Sequence, residues 1–372
     1  MSGKIICPYC YTEQKLKLMK KICISDGCEE NTKNTKFSAK ESNCPKCGSN
    51  LRYACTNPKC GHSIEKDELE CKDPLPIAII GARYSGKSNY IAVAVHELQV
   101  KGNRFGIGIR ANAATASVYS QEYEAPVFKR QVPITTTRAA TKKNKREPLI
   151  FMLTTGLNKG KRGTFPLSFY DTAGENMEKS DLDTEEYVGY ISYAKGLIIL
   201  MDPWQIPYVK DRLGGIIPPE AKNAIGLSPY EILERAIRVI RSQTKMKVND
   251  KIKIPIAIAF SKIDSLESGG LLEDGSCLTR PSSHIDEGKY SKLEHDDTNS
   301  DIMSMLQYFD EEEAERFLNL TRNNFETYSF FGFSSFGCGL TGGKLSQKVK
   351  PRRVLDPFLW LLSINKRIQT TK

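Results

Sequence analysis

Residues 76–90 read PIAIIGARYSGKSNY. The apolar run that opens this stretch is what a strand buried on both faces of a parallel sheet requires. It feeds directly into a glycine loop, and KSNYIAVAVHELQV follows with Ile91, Val95 and Leu98 at helical spacing. Strand, loop and helix in that order turn the octet Gly81-Ala82-Arg83-Tyr84-Ser85-Gly86-Lys87-Ser88 into a candidate phosphate-binding loop. Gly81 and Gly86 let successive N–H groups turn inward, and the helix N-terminus adds partial positive charge. Lys87 is expected to reach the β- and γ-phosphates and the Ser88 hydroxyl to ligate Mg²⁺, with Tyr84, Ser85 and Asn89 also lining the nucleotide.

Such a loop does not name the base, which three downstream segments address. TFPLSFYDTAGEN ends an apolar run in Asp171-Thr172-Ala173-Gly174, a DxxG in which Asp171 would hold Mg²⁺ and the Gly174 N–H would meet the γ-phosphate. KIPIAIAFSKID ends another in Ser261-Lys262-Ile263-Asp264, similar to an NKxD element. There the aspartate accepts two hydrogen bonds from guanine and the lysine stem covers the ring; adenine offers no matching donor pair. Ser334 and Ser335, in YSFFGFSSFG, stand where a last base-contacting loop belongs. Each element follows an apolar strand, the edge at which open α/β sheets bind ligands.

Together these motifs, from Leu75 to about Ile368, resemble the Ras-like P-loop GTPases of the translation-factor-related class. The cysteine-rich head, the GxxxSGKS loop, the long insertion before DTAGE, the LIILMDP strand and the RVLDPFLWLL helix look most like the second type of the bacterial double-GTPase family. The resemblance implies a Mg²⁺-dependent GTP-binding and GTP-hydrolysing switch that works with neighbouring GTPases or effector proteins, including in defence against phage. The chain departs from the pattern at Ser261, where Asn or Thr is usual; its hydroxyl is expected to bond the P-loop backbone. Glu175 replaces the water-positioning glutamine, so hydrolysis is expected to be slow. Thr135, Thr136 and Thr137 are the candidates for the switch I Mg²⁺ ligand, with Thr136 favoured. Arg83 is expected either to supply an arginine charge in cis or to block one inserted by a partner, with Tyr84 shielding the nucleotide.

Eight of the eleven cysteines precede residue 61. In chain order they form two matching sets, Cys7, Cys10, Cys23, Cys28 and Cys44, Cys47, Cys55, Cys60, each a CxxC followed by a CxxxxC. Four thiolates around tetrahedral zinc make a closed structural site, so the head reads as two consecutive zinc ribbons. Gly48 and Gly61 are placed for the reversed turns of the knuckles. His62 could replace a ligand but reads rather as solvent-facing, and Cys71, Cys277 and Cys338 read as buried thiols without metal.

The chain of 372 residues, 40% hydrophobic and 26% charged, has ample length for a large folded core. LIILM and LDPFLWLL fall short of a bilayer span, and MSGKIICPYC has no signal-peptide core, so a cytoplasmic location is expected. The net charge of +10 is uneven. Segments 138–162 and 344–372 are basic and 265–315 is acidic, which leaves nucleic acid open beside a protein partner.

The expected architecture is a doubly wound Ras-like α/β sheet with one antiparallel hairpin strand, preceded by two zinc-ribbon modules. The segments are 1–38 for the first ribbon, 39–73 for the second with its linker, and 74–372 for the nucleotide domain, with insertions around 103–147 and 265–300. A single helix is expected over 301–325 and an extra one over 112–130. The competing functional readings are a nucleic-acid-binding zinc module with a structural nucleotide, and a P-loop ATPase.

Overall fold

A computed structural model describes residues 4–10, 12–58, 60–65, 68–69, 75–82, 84–135, 148–156, 162–169, 191, 194–218, 221, 226–244, 246–247 and 249–371. The expectations for Arg83, Thr136, Thr137, Asp171, Gly174, Glu175 and Cys71, and the boundary at 73, fall outside those residues.

In the head, β1 (Lys4–Ile6) pairs with β2 (Glu13–Lys15), and β3 (Lys21–Ile22), β4 (Arg52–Ala54) and β5 (Ser63–Ile64) form a second small antiparallel sheet. The described part of the chain that follows the head is built on a seven-stranded sheet. Its strands are β6 (Leu75–Gly81), β7 (Ile107–Ala111), β8 (Leu149–Gly156), β9 (Arg162–Phe169), β10 (Gly196–Met201), β11 (Ile256–Phe260) and β12 (Tyr328–Gly332). Their order across the sheet is β12-β11-β10-β6-β9-β8-β7. All neighbours pair in parallel except β9–β8 and β8–β7, so β8 alone runs against the rest. Helices cover both faces. One core joins Ile77 and Ile79 to α1 (Lys87–Lys101) and to the C-terminal helix 356–364; the other joins Ala78 and Ile80 to helices 229–244, 292–309 and 311–324. Alternate residues of β6 therefore enter opposite cores, and the whole strand is buried. The doubly wound α/β sheet with one antiparallel strand stands as expected.

Local details differ. β7 extends the sheet by an edge strand that the expected insertion did not contain; its Ile-Gly-Ile-Arg-Ala pattern buries only Ile107 firmly, which leaves little periodic signal. Past it come α2 (Ala113–Val118) and a wide helical turn, Tyr119–Lys129, holding Pro126. The single helix expected over 301–325 is two, α3 (Lys292–Phe309) and α4 (Glu311–Asn324). Asp310 breaks them: its backbone is extended, and its carboxylate accepts the Glu313 N–H at 3.0 Å as an N-cap. The closing helix is α5 (Asp356–Ile364), where Leu355, Phe358, Leu359 and Leu362 are core as expected. Cys277 is buried, whereas Cys338 is only half-buried, its Sγ 3.7 Å from Gln347 O in the loop before the closing helix.

Candidate functional site

The cysteines gather into two groups of four, and the grouping corrects the one expected from chain order. Cys7 and Cys10 join Cys55 and Cys60; Cys23 and Cys28 join Cys44 and Cys47. Each group draws two thiols from residues 1–38 and two from 39–73, so one ribbon is nested inside the other. The reason lies in strand pairing. The β1–β2 turn presents Cys7 and Cys10, and the β4–β5 turn presents Cys55 and Cys60, with Cys7 N–H donating to Thr12 O and Cys55 N–H to His62 O. Pairing of β3 with β4 brings these two hairpins together across the intervening segment. A tetrahedral ion with Zn–S near 2.3 Å needs sulfurs about 3.8 Å apart. The observed Sγ–Sγ separations are 3.9 and 3.6 Å in the first cluster, and 3.6 and 3.8 Å in the second. Soft thiolates at that spacing fit zinc. Gly48 and Gly61 take the left-handed conformation expected of them, φ 72° and 64°. His62 is half-buried rather than solvent-facing: its ring stacks on Tyr9 at 4.4 Å and its Nδ1 lies 3.3 Å from Cys60 Sγ.

The first cluster also anchors the head. Ser168 Oγ donates to Pro8 O at 3.4 Å, and Asn112 Nδ2 donates to Tyr9 Oη at 3.1 Å and to Glu68 Oε1 at 3.0 Å. The same Asn112 caps α2, its Oδ1 accepting the Thr115 N–H at 2.8 Å. Sequence reasoning missed Asn112, although an Asn before AATASV is an N-cap signal.

At the C-terminal edge of the sheet, the glycine loop follows β6 and leads into α1. Gly86 is left-handed at φ 85°, and Tyr84, at φ 65°, is exposed. A Cβ on Gly81 would come within 2.5 Å of Ser85 Oγ and 2.9 Å of Leu200 O, so this position accepts only glycine without rearrangement. Lys87 is buried, and its ammonium donates to Gly81 O at 2.7 Å and Ala82 O at 3.1 Å. Ser85 Oγ donates to Ala82 O at 2.9 Å, and Ser88 is buried in the first turn of α1. The cation, the backbone curl and the helix start therefore converge at one point, an arrangement suited to a polyphosphate.

Asn89 is engaged elsewhere. Its Oδ1 accepts the Ile134 N–H at 2.9 Å and its Nδ2 donates to Ile134 O at 3.2 Å, which clamps the chain just before exposed Thr135 to the first turn of α1. Each bond contributes about 1 kcal/mol. Asn89→Ala is expected to raise amide exchange at Ile134 several-fold while leaving the thermal midpoint nearly unchanged; unaltered exchange would show that other contacts hold the segment.

The loops after β11 and β12 lie two and three strands away from β6. Lys262 adopts φ 58°, a left-handed conformation uncommon for a non-glycine residue, at the turn between β11 and helix 263–268. Its ammonium bonds buried Asp202 Oδ2 at 2.6 Å and sits 3.8 Å from the centre of the Trp204 ring. Trp204 Nε1 in turn donates to Ser265 Oγ at 2.8 Å. Asp202 and Trp204 were not singled out in the sequence; the only trace was an aspartate closing the LIILM strand. Ser261 also differs from expectation: its N–H and Oγ both donate to Met201 O, at 3.0 and 3.2 Å, because the parallel neighbour β10 lies closer than the glycine loop. Asp264 is held above the ordinary carboxylate range by burial, against which a hydrogen bond from Ser334 works. Ser334 is itself fixed by paired backbone bonds with Arg352 at 2.9 Å and by the Gly337 N–H on its Oγ. Ser335 beside it is half-buried. Tyr90 of α1 packs on Phe333 at 5.0 Å, tying α1 to the chain just after β12 through the core.

No protein-family model matches the chain. It is 28% identical over 301 residues to SaeC of Mycolicibacterium smegmatis, to which an ESX-1 scaffolding and assembly role is ascribed; the match covers 77% of this chain and 74% of SaeC. Among solved structures it is similar to GDP-bound RocCORdC of Methanosarcina barkeri Roco2 (12% identity, TM-score 0.28, 81% of this chain and 52% of that one). Two others are the GTP-bound GTPase-like domain of S. cerevisiae Ski7 (12%, TM-score 0.37, 82% and 53%) and the SRb-GTP/SRX complex of Chaetomium thermophilum (16%, TM-score 0.29, 80% and 99%). This chain thus spans about half the length of the Roco2 and Ski7 chains. Overlaps this loose decide nothing about its chemistry, and the fold rests on the sheet order above. Among the described residues no helix is long and apolar enough to cross a membrane.

Proposed function

We propose that the protein is a guanine-nucleotide-dependent switch that hydrolyses GTP slowly and uses its zinc-bound head to dock a protein partner. The observation that carries the reading is the placement, along one sheet edge, of the Lys87 loop after β6 and of Asp264 and Ser334 after β11 and β12. A polyphosphate would lie against the Lys87 ammonium and the N–H groups of Tyr84 to Ser88. The purine would reach toward Asp264, whose carboxylate, aligned by Ser334, would accept the two adjacent N–H groups of guanine. Mg²⁺ would neutralise charge between the β- and γ-phosphates, held by the Ser88 hydroxyl, with Asp171 and Thr136 completing its protein ligands. Gly174, Glu175 and Arg83 would act at the γ-phosphate. Lys262, paired to Asp202 over Trp204, would support the base through that assembly rather than by its stem alone.

The likeness to SaeC supports a protein assembly as the setting, with the partner a scaffold component or another GTPase. The basic segments 138–162 and 344–372 would serve the same contact, with nucleic acid as the alternative ligand.

Asp264→Ala tests the base assignment. Losing bonds to a charged acceptor should weaken GTP binding by about tenfold or more and leave ATP binding unchanged, as measured by calorimetric titration with both nucleotides. Equal ATP and GTP affinity in the unaltered protein would overturn guanine selectivity. Because burial raises Asp264, acidification should protonate it, and so erode GTP preference, at a higher pH than for an exposed aspartate.

A further inference from the structure

The two cysteine clusters differ in how well they are covered. In the first, Cys7 is fully buried and Gln14, itself 2% exposed, donates its Nε2 to Cys55 Sγ at 2.6 Å. The Asn57 N–H approaches the same sulfur at 3.4 Å, and the Thr56 N–H on Gln14 Oε1 at 2.9 Å fixes the amide. Such donors withdraw charge from a thiolate and fill the space an attacking molecule would need. The stacked Tyr9 and His62 rings and the contact of Pro8 with Ser168 lie beside it, and Cys10 and Cys60 are half-buried, so none of its four sulfurs belongs to an exposed residue.

The second cluster is buried at three of its sulfurs and exposed at the fourth. Cys23, Cys28 and Cys44 are buried against Phe37 and Leu51, but Cys47 is exposed at the knuckle tip, beside exposed Lys46. Its Sγ lies 3.6 Å from that of Cys23. An accessible sulfur next to a buried partner is the arrangement in which a peroxide is attacked first and a second thiol resolves the product.

We propose that this second cluster is an oxidation site, at which hydrogen peroxide joins Cys47 to Cys23 and opens the cluster while the first stays intact. The proposal rests on zinc holding both clusters. Cys47 sulfur attacks one peroxide oxygen, so an S–O bond forms as the O–O bond breaks and hydroxide leaves. The Cys23 thiolate then attacks the Cys47 sulfur, the S–S bond forms, and a second hydroxide leaves with the S–O bond. Two electrons pass from the two thiolates to the peroxide, and only Cys28 and Cys44 would remain to hold a zinc ion at this cluster.

The test uses the full chain, its zinc content measured first, treated with increasing hydrogen peroxide. Non-reducing peptide mass spectrometry and a colorimetric zinc indicator follow the products. The expected first product is the Cys23–Cys47 peptide pair, with half of the bound zinc released and the first cluster still reduced. Cys47→His, which keeps a zinc ligand but removes the reacting sulfur, should slow zinc release to the rate of the first cluster. Oxidation of Cys7, Cys10, Cys55 or Cys60 at the same or a lower dose would overturn the proposal, as would Cys47→His releasing zinc as fast as the unaltered chain. A protein without zinc would overturn the zinc reading instead, and the order of disulfide formation, read by mass alone, would still decide which cluster oxidises first.

Discussion

Replacing Lys87 with alanine is expected to weaken GTP and GDP binding by about 100-fold or more, the value of one or two charge-assisted hydrogen bonds to phosphate. The ammonium is buried and already held by Gly81 O and Ala82 O, inside the curl of the loop. Its position is therefore set before any nucleotide arrives, and little ordering entropy opposes its use. Removing it leaves those two carbonyls facing the phosphates, so like partial charges add to the loss. Titration calorimetry with each nucleotide reads the effect, and a retained cooperative melt shows that the variant is folded. Binding within twofold of the unaltered protein would remove the glycine loop from the proposed site.

Withdrawing zinc should have the largest structural effect. A structural zinc contributes about 10–16 kcal/mol to the fold that holds it, as much as the whole stability of an ordinary domain. Among the described residues the head has two small cores, one around Ile5, Met19 and Ile64 and another around Phe37 and Leu51. Chelation is expected to unfold it, read as lost near-ultraviolet dichroism from its tyrosines and faster proteolysis before residue 75. Double substitutions test the nested pairing independently. Cys7→Ser with Cys55→Ser should leave one zinc per chain, because both residues serve the same cluster. Cys7→Ser with Cys23→Ser should leave none, because each damages a different one. The reverse result, one zinc for Cys7 with Cys23, would restore the consecutive arrangement read from chain order.

The glycine loop and the loops after β11 and β12 were legible because their signals are local. A strand such as PIAIIG must be apolar along its length to be buried on both faces, and glycine and lysine spacing in the loop is set by backbone geometry within eight residues. The same holds for Asp264 and Ser334, which stand directly after β11 and β12. Asp202 and Trp204 were missed because their role arises only when β10 and β11 pair in parallel and bring Lys262 over the indole ring. Asn89 looked like one more nucleotide contact until Ile134 was seen to occupy its amide.

By itself, then, the sequence determined that the chain has a doubly wound sheet, where its glycine loop lies, and that eight cysteines sit in knuckles able to bind two ions. Those properties depend on residue type and short spacing. Tertiary structure decided which cysteines share an ion, that Ser261 turns to Met201 rather than to the glycine loop, and that the head is fastened through Tyr9, Glu68 and Asn112. A knuckle supplies only two thiolates and is indifferent to which other knuckle completes its tetrahedron. The choice falls to the strand pairing between residues 21–22 and 52–53, a contact between distant segments that no local pattern encodes.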